Sequence, residues 1–262
     1  MHTDPTMPAE TLRPTEHHPF EPFLPKGAHI LFLGSFPPQP HRWCMPFYYP
    51  NWINDFWRIM GIIHFGDKDH FCIPGEKRFD EKAIRAFCTE KGLAFYDTAC
   101  EVRRLRDNAS DAFLEVVTPT DIPALLRRIP YCHSLVTTGE KASSLVAECF
   151  GCAVPPVGGW IDLQPNETPD QVGGDVVRQV HGNVTCYAID DDPIGGWSGG
   201  TPDQVGGDER RHAQKDHDPV DDHVFRHARL DRASLRFWRM PSSSRAYPLP
   251  LNKKADVYRR LF

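Results

Sequence analysis

A chain of 262 residues, 40% hydrophobic and 25% charged, has ample apolar material for a core and is long enough for one large domain or two small ones. Its formal charge of −5 excludes a uniformly basic nucleic-acid binder, but the acid is concentrated: residues 162–231 hold 15 Asp and Glu against 6 Lys and Arg, leaving 20 acidic and 24 basic groups elsewhere, a balance compatible with phosphate contact. No run of eighteen apolar residues is present and Met1–Met7 lacks the charged-then-apolar order of a signal peptide, so no membrane span is expected and the cytoplasm is the expected compartment.

Residues 1–24, rich in Pro and His, read as an extended lead-in. Apolar runs predict strands at Ile30–Leu33, Leu93–Tyr96, Ser134–Thr137 and Leu235–Met240. Helical spacing predicts helices over Asn54–Ile63, Glu81–Lys91, Ile122–Arg128, Lys141–Cys149 and Lys253–Leu261. Strands alternating with helices imply an α/β fold with a largely parallel sheet, whose ligand crevice lies beyond the carboxyl ends of its strands. The domain is expected over 25–161 and 232–262. Between them, 162–231 breaks the pattern: Thr168–Asp175 recurs as Thr201–Asp208, and its Gly, Asp and Pro content predicts an acidic, partly duplicated, flexible excursion. Arg103, Arg104 and Arg106 form a basic cluster whose common reading is a solvated helix face.

Two stretches carry chemistry. Ile30–Pro38 reads as a buried strand ending in a Gly-Ser-Phe-Pro-Pro loop, and Phe47–Trp57 follows with a dense cluster of aromatic and amide side chains. Aromatic faces beside asparagines, above a strand end, suit a pocket that holds and reads a planar base. Cleaving an N-glycosidic bond puts negative charge on the departing base. Backbone N–H groups of Gly34, Ser35 and Phe36 and an amide side chain are suitable donors to meet it. Phe47, Tyr48 and Tyr49 are candidates for the stacking face, with core packing as the alternative.

These landmarks, together with His18–Phe23, Tyr96–Thr98, Thr137–Gly139 and Met240–Arg245, resemble the uracil-DNA glycosylase superfamily, and within it the branch of hypoxanthine-DNA and mismatch-specific glycosylases. The resemblance covers residues 19–160 and 233–262. It implies a three-layer α/β/α fold and hydrolytic removal of a deaminated base, uracil or hypoxanthine, by a monomer acting on double-stranded DNA with a damaged or mismatched base, without cofactor or metal. Asn54 aligns with the catalytic asparagine of the hypoxanthine branch, although an N-cap role is the competing reading, and Asn51 is the reserve. Asp97 is a candidate to hold the pocket backbone or an active-site water, or else a turn aspartate. Ser242, Ser243, Ser244 and Arg245 resemble the Ser/Pro loop that contacts DNA; Arg245 would fill the gap left by the flipped base or pair with a phosphate. The chain departs from the commoner members at Phe36, where they carry Asp or Asn, and at Thr138, where an auxiliary asparagine is expected. Those departures keep open a catalytically weakened member that binds DNA or damaged bases. No Schiff-base lysine is evident in the loops, so strand cleavage by a lyase step is not expected.

Two metal readings are set aside. Cys149-Phe-Gly-Cys152 has ligand-like spacing but no second cysteine pair, and His212, His217, His223 and His227 lie in a solvated polar stretch. The other cysteines, Cys72, Cys88, Cys100 and Cys132 among them, read as reduced core residues.

Overall fold

The computed structural model describes residues 13–106, 111–163 and 235–262. They form a mixed α/β fold with two sheets, one largely parallel, and five α-helices among the described residues. The main sheet contains β2 (Ile30–Gly34), β3 (Leu93–Asp97), β6 (Ser134–Thr138), β7 (Trp160–Leu163) and β8 (Leu235–Met240), in the order β3-β2-β6-β8-β7. β3, β2, β6 and β8 are parallel neighbours, and β7 closes the edge antiparallel to β8. β2 and β3 are apolar over most of their length, as suits strands of a parallel sheet covered on both faces; Leu31, Phe32, Leu33, Phe95 and Val136 are fully buried.

The second sheet was not predicted. It is antiparallel, ordered β1-β4-β5, from β1 (Thr15–His17), β4 (Ala99–Arg104) and β5 (Leu114–Pro119). Its small apolar face, Ala99, Val102 and Leu114, is completed by Phe36 and Val116. The arginine cluster is therefore not on a helix. Arg103 and Arg104 lie on β4, and Arg104 is buried, its Nε donating to Glu16 at 2.9 Å and its Nη2 to the Pro37 carbonyl at 2.6 Å. The lead-in likewise belongs to the fold from Thr15 on: Phe23 and Phe95 exchange backbone hydrogen bonds of 3.0 and 2.9 Å.

The helices are α1 (Phe56–Phe65), α2 (Glu81–Glu90), α3 (Ile122–Arg128), α4 (Glu140–Phe150) and α5 (Leu251–Tyr258). Asp80 and Asp121 cap α2 and α3, accepting from the Ala83 and Ala124 amides at 3.0 and 2.9 Å. α1 ends at Gly66, whose φ of 69° suits a residue without Cβ. It begins two residues later than expected, because Asn54 stays in a turn and its Oδ1 accepts the Phe56 N–H at 2.9 Å. Phe56, Trp57, Ile59 and Met60 face the core, and α1 packs on α5. No described helix is long and apolar enough to cross a membrane. β7 runs to Leu163, two residues into the stretch assigned to the excursion; the rest of that stretch, with its repeat and its five histidines, lies outside the described residues. Seven cysteines are free among the described residues, Cys149 exposed and Cys152 half-buried.

Candidate active site

The parallel strands end together at Gly34, Asp97, Thr138 and Met240. Beyond three of those ends lies a cavity of about 980 Å³, at the upper end of the range for small-molecule sites. Gly34, Ser35, Phe36, Tyr48, Tyr49, Asn51, Asn54, Asp97, Thr138 and Ser242 to Arg245 all line it. The first loop, the aromatic and amide turn and the Ser/Arg loop thus meet, although more than 200 residues of sequence separate the first from the last.

Phe47 is the exception and a correction to the stacking assignment. Its side chain is 1% exposed, lies in the core between Phe23, Tyr48 and Trp57, and does not line this cavity. Tyr48 is also buried, its hydroxyl donating to the Glu21 carbonyl at 2.9 Å, so it forms the floor of the wall more than its face. Tyr49 is the better-presented ring. Phe56 stacks on it at 3.8 Å with the planes 4° apart, and its hydroxyl is 2.8 Å from Thr138 Oγ1. Tyr49 also holds a φ of 52°, a left-handed conformation that costs a non-glycine residue of order 1 kcal/mol or more and persists only where the surroundings enforce it. Burial pushes both phenols far above their ordinary range, so Tyr48 and Tyr49 stay neutral donors.

The asparagine turn is fastened from several sides. The Asn54 amide donates to the Asn51 carbonyl at 2.8 Å, and Asn51 Oδ1 accepts the Ile53 N–H at 3.1 Å. The buried Arg58 donates to the Trp52 and Asn54 carbonyls at 2.8 and 3.2 Å and stacks on Trp52. Both side-chain oxygens are thus spent on backbone amides, as the turn and cap readings anticipate. With Oδ1 of Asn54 turned to the Phe56 amide, the cavity-lining side chain has its Nδ2 donor to offer a ligand.

Next to Asn54, Asp55 ties the two halves of the site. It is 4% exposed. Its Oδ2 accepts from the buried Lys254 at 3.1 Å and its Oδ1 from Arg245 Nε at 3.1 Å, while its amide donates to the Ser243 carbonyl at 2.9 Å. Lys254 also donates to the Ser244 carbonyl at 2.7 Å, and Tyr258 to that of Pro241 at 2.7 Å. Arg245 is half exposed but anchored by its Nε.

Asp97 ends β3 with its Oδ2 receiving His18 Nε2 at 2.9 Å, both side chains nearly buried. Its Oδ1 crowds Gly34: a Cβ there would stand 2.5 Å from it, so only glycine fits. Phe36 turns its ring to the small sheet, 5.3 Å edge-on from His18 and under the Arg104 guanidinium at 5.6 Å.

Sequence reasoning missed several cavity residues: Arg42, Arg104, Asp111 and Lys141. Asp111 accepts the Ser35 hydroxyl at 2.7 Å. Burial, and secondarily the nearby charge of Asp97, raise its carboxyl above the usual carboxylate range, against the opposing pull of Ser35, Lys141 and Arg104. Arg42 has its Nε buried without a partner among the described residues. Nothing local in sequence marks Asp111; the arginines were visible only as charge.

No protein-family model matches this chain, and no curated protein matches it. Among solved structures, a solution NMR structure described as a "putative Uracil DNA glycosylase" from Methanosarcina acetivorans is similar at 21% identity, over 51% of this chain and 77% of that one, with a TM-score of 0.39. A likeness of that size leaves the functional reading to the site itself.

Proposed function

We propose that this protein is a DNA glycosylase of the uracil-DNA glycosylase type, with the three-layer arrangement of that superfamily, which removes a deaminated base by hydrolysis of its N-glycosidic bond. One observation carries the reading: the Gly34–Phe36 loop, the Tyr49 face, the Asn54 amide and the Ser242–Arg245 loop line a single cavity at the carboxyl edge of the parallel sheet. Such an enzyme extrudes a base, stacks it, and stabilises the negative charge that grows on it as the bond breaks. Tyr49, backed by Phe56, supplies the stacking face. Nδ2 of Asn54 supplies a donor to the departing base. Ser242, Ser244 and the outer nitrogens of Arg245 supply phosphate contacts, with the buried Ser243 holding the loop between them. Ile53, about half exposed and also lining the cavity, suits the gap that an extruded base leaves in the stack. The protein acts on duplex DNA as a monomer in the cytoplasm.

The test is incubation with duplexes carrying a single uracil, hypoxanthine or xanthine, followed by alkali. Alkali-labile abasic sites are the expected result. Duplexes that are bound but left intact would establish instead the binding protein that the apolar Phe36 and the two occupied asparagine oxygens allow.

A further inference from the structure

Hydrolysis at the sugar needs an acceptor for the proton of the attacking water as well as donors for the leaving base. Most acceptors in the cavity wall are already committed. Asn51 and Asn54 hold backbone amides with their oxygens. Behind the wall, both oxygens of Asp55 are taken by Arg245 and Lys254, and Glu140, which does line the cavity, is exposed to solvent. Asp97 is 7% exposed, with Oδ2 on His18 and Oδ1 packed against Gly34. The first loop turns an apolar ring, Phe36, into the small sheet.

The same loop presents Ser35 to a carboxylate from elsewhere. Asp111, in the short 3₁₀ turn before β5, lines the cavity, is half-buried, and spends only Oδ1, on a single hydroxyl donor. Its Oδ2 receives no hydrogen bond from any described residue. We infer that Asp111, held by Ser35, is the catalytic base that positions the hydrolytic water and takes its proton. The inference rests on the glycosylase reading and adds to it the group that activates water. In the step, the water oxygen forms a bond to the anomeric carbon. The carbon–nitrogen bond breaks with its electron pair leaving on the base, and the water proton passes to Asp111 Oδ2. The sugar becomes an abasic hemiacetal, and the base anion, met by the Asn54 amide, is protonated on release.

The surroundings suit a base. Burial and Asp97 hold the Asp111 carboxyl above the ordinary carboxylate range, which strengthens it as a proton acceptor, while Ser35, Lys141 and Arg104 pull the other way and favour its charged form. The other charged groups that line the cavity are Arg42, Glu140 and Arg245, and His18 stands behind Asp97. Because the ionised form is the active one, excision is full above this pKa and falls as pH drops through it.

The experiment is single-turnover excision from a lesion-bearing duplex across pH, with duplex affinity measured in parallel, for wild type, Asp111→Asn and Ser35→Ala. Asp111→Asn keeps the shape and the Ser35 contact; its rate should fall about 100-fold or more with affinity changed little, and its acid limb should vanish. Ser35→Ala removes a donor that favours the charged carboxylate, so its acid limb should move to higher pH. Asp111→Asn at the wild-type rate with an unchanged acid limb would overturn the role of Asp111 and leave the glycosylase standing. A wild-type protein that excises no lesion overturns both.

Discussion

Asn54 shows how one side chain divides its two ends between structure and chemistry. The oxygen caps the first turn of α1 and the nitrogen is left facing the cavity. The two uses separate by substitution. Asn54→Asp keeps the acceptor for the Phe56 amide but replaces the donor with a negative charge where the leaving base becomes negative. It should retain the wild-type Tm to within a few degrees while excision falls about 100- to 1,000-fold. Asn54→Ala loses both, and should also cost about 1 kcal/mol of stability in urea unfolding. Equal excision by Asn54→Asp and wild type would remove this residue from the chemistry. The turn around Asn54 was legible in sequence because its side-chain oxygen and its amide bond residues three or fewer away. The long-range polar contacts were not: His18 meets Asp97 across 79 residues and Ser35 meets Asp111 across 76, and no local pattern announces such meetings.

At the scale of elements, α5 holds the Ser242–Arg245 loop against α1. Lys254 and Asp55 lie 199 residues apart in sequence and are both nearly inaccessible, and the Lys254 ammonium also bonds the Ser244 carbonyl. Removing one partner of a buried pair leaves a charge without its counterion. Lys254→Met should therefore destabilise the protein by about 3 kcal/mol, toward the lower end for such a break because Arg245 remains on Asp55. Urea unfolding measures it, and a loss under 0.5 kcal/mol, the usual bound for an innocuous surface change, would show that Arg245 alone suffices. β2 and β3 announced themselves as nearly unbroken apolar runs, and β6 and β8 through shorter apolar cores. β4 and β5 did not, because the register shifts at Glu101 break their alternation and because β4 ends in a buried arginine, which reads in sequence as solvated. β7 is only four residues long and has no signal of its own.

For the molecule as a whole, the notable fact is where residues 164–234 attach. Leu163 and Leu235 are register partners on β7 and β8, at the end of the sheet away from the cavity, since β8 begins there and reaches the site at its other end. An Asn-Gly turn can close such an antiparallel pair. A chain with 164–234 replaced by Asn-Gly should unfold cooperatively and retain excision within a few-fold of the full protein. Loss of cooperative unfolding would make that segment part of the fold.

The placement of β8 between β6 and β7 also has a cost in the cell. Until β8 emerges from the ribosome, β6 lacks its neighbour on that side, and Leu135 and Val136 lie on an open strand whose backbone groups can pair with another chain. With the 96 residues between Thr138 and Leu235 to translate first, at roughly 5–20 residues per second, that edge stands open for roughly 5–19 s in every nascent molecule. Asp55 waits about twice as long for Lys254. A chaperone, or a shorter intervening segment, would therefore act on the yield of this protein before it acts on its stability.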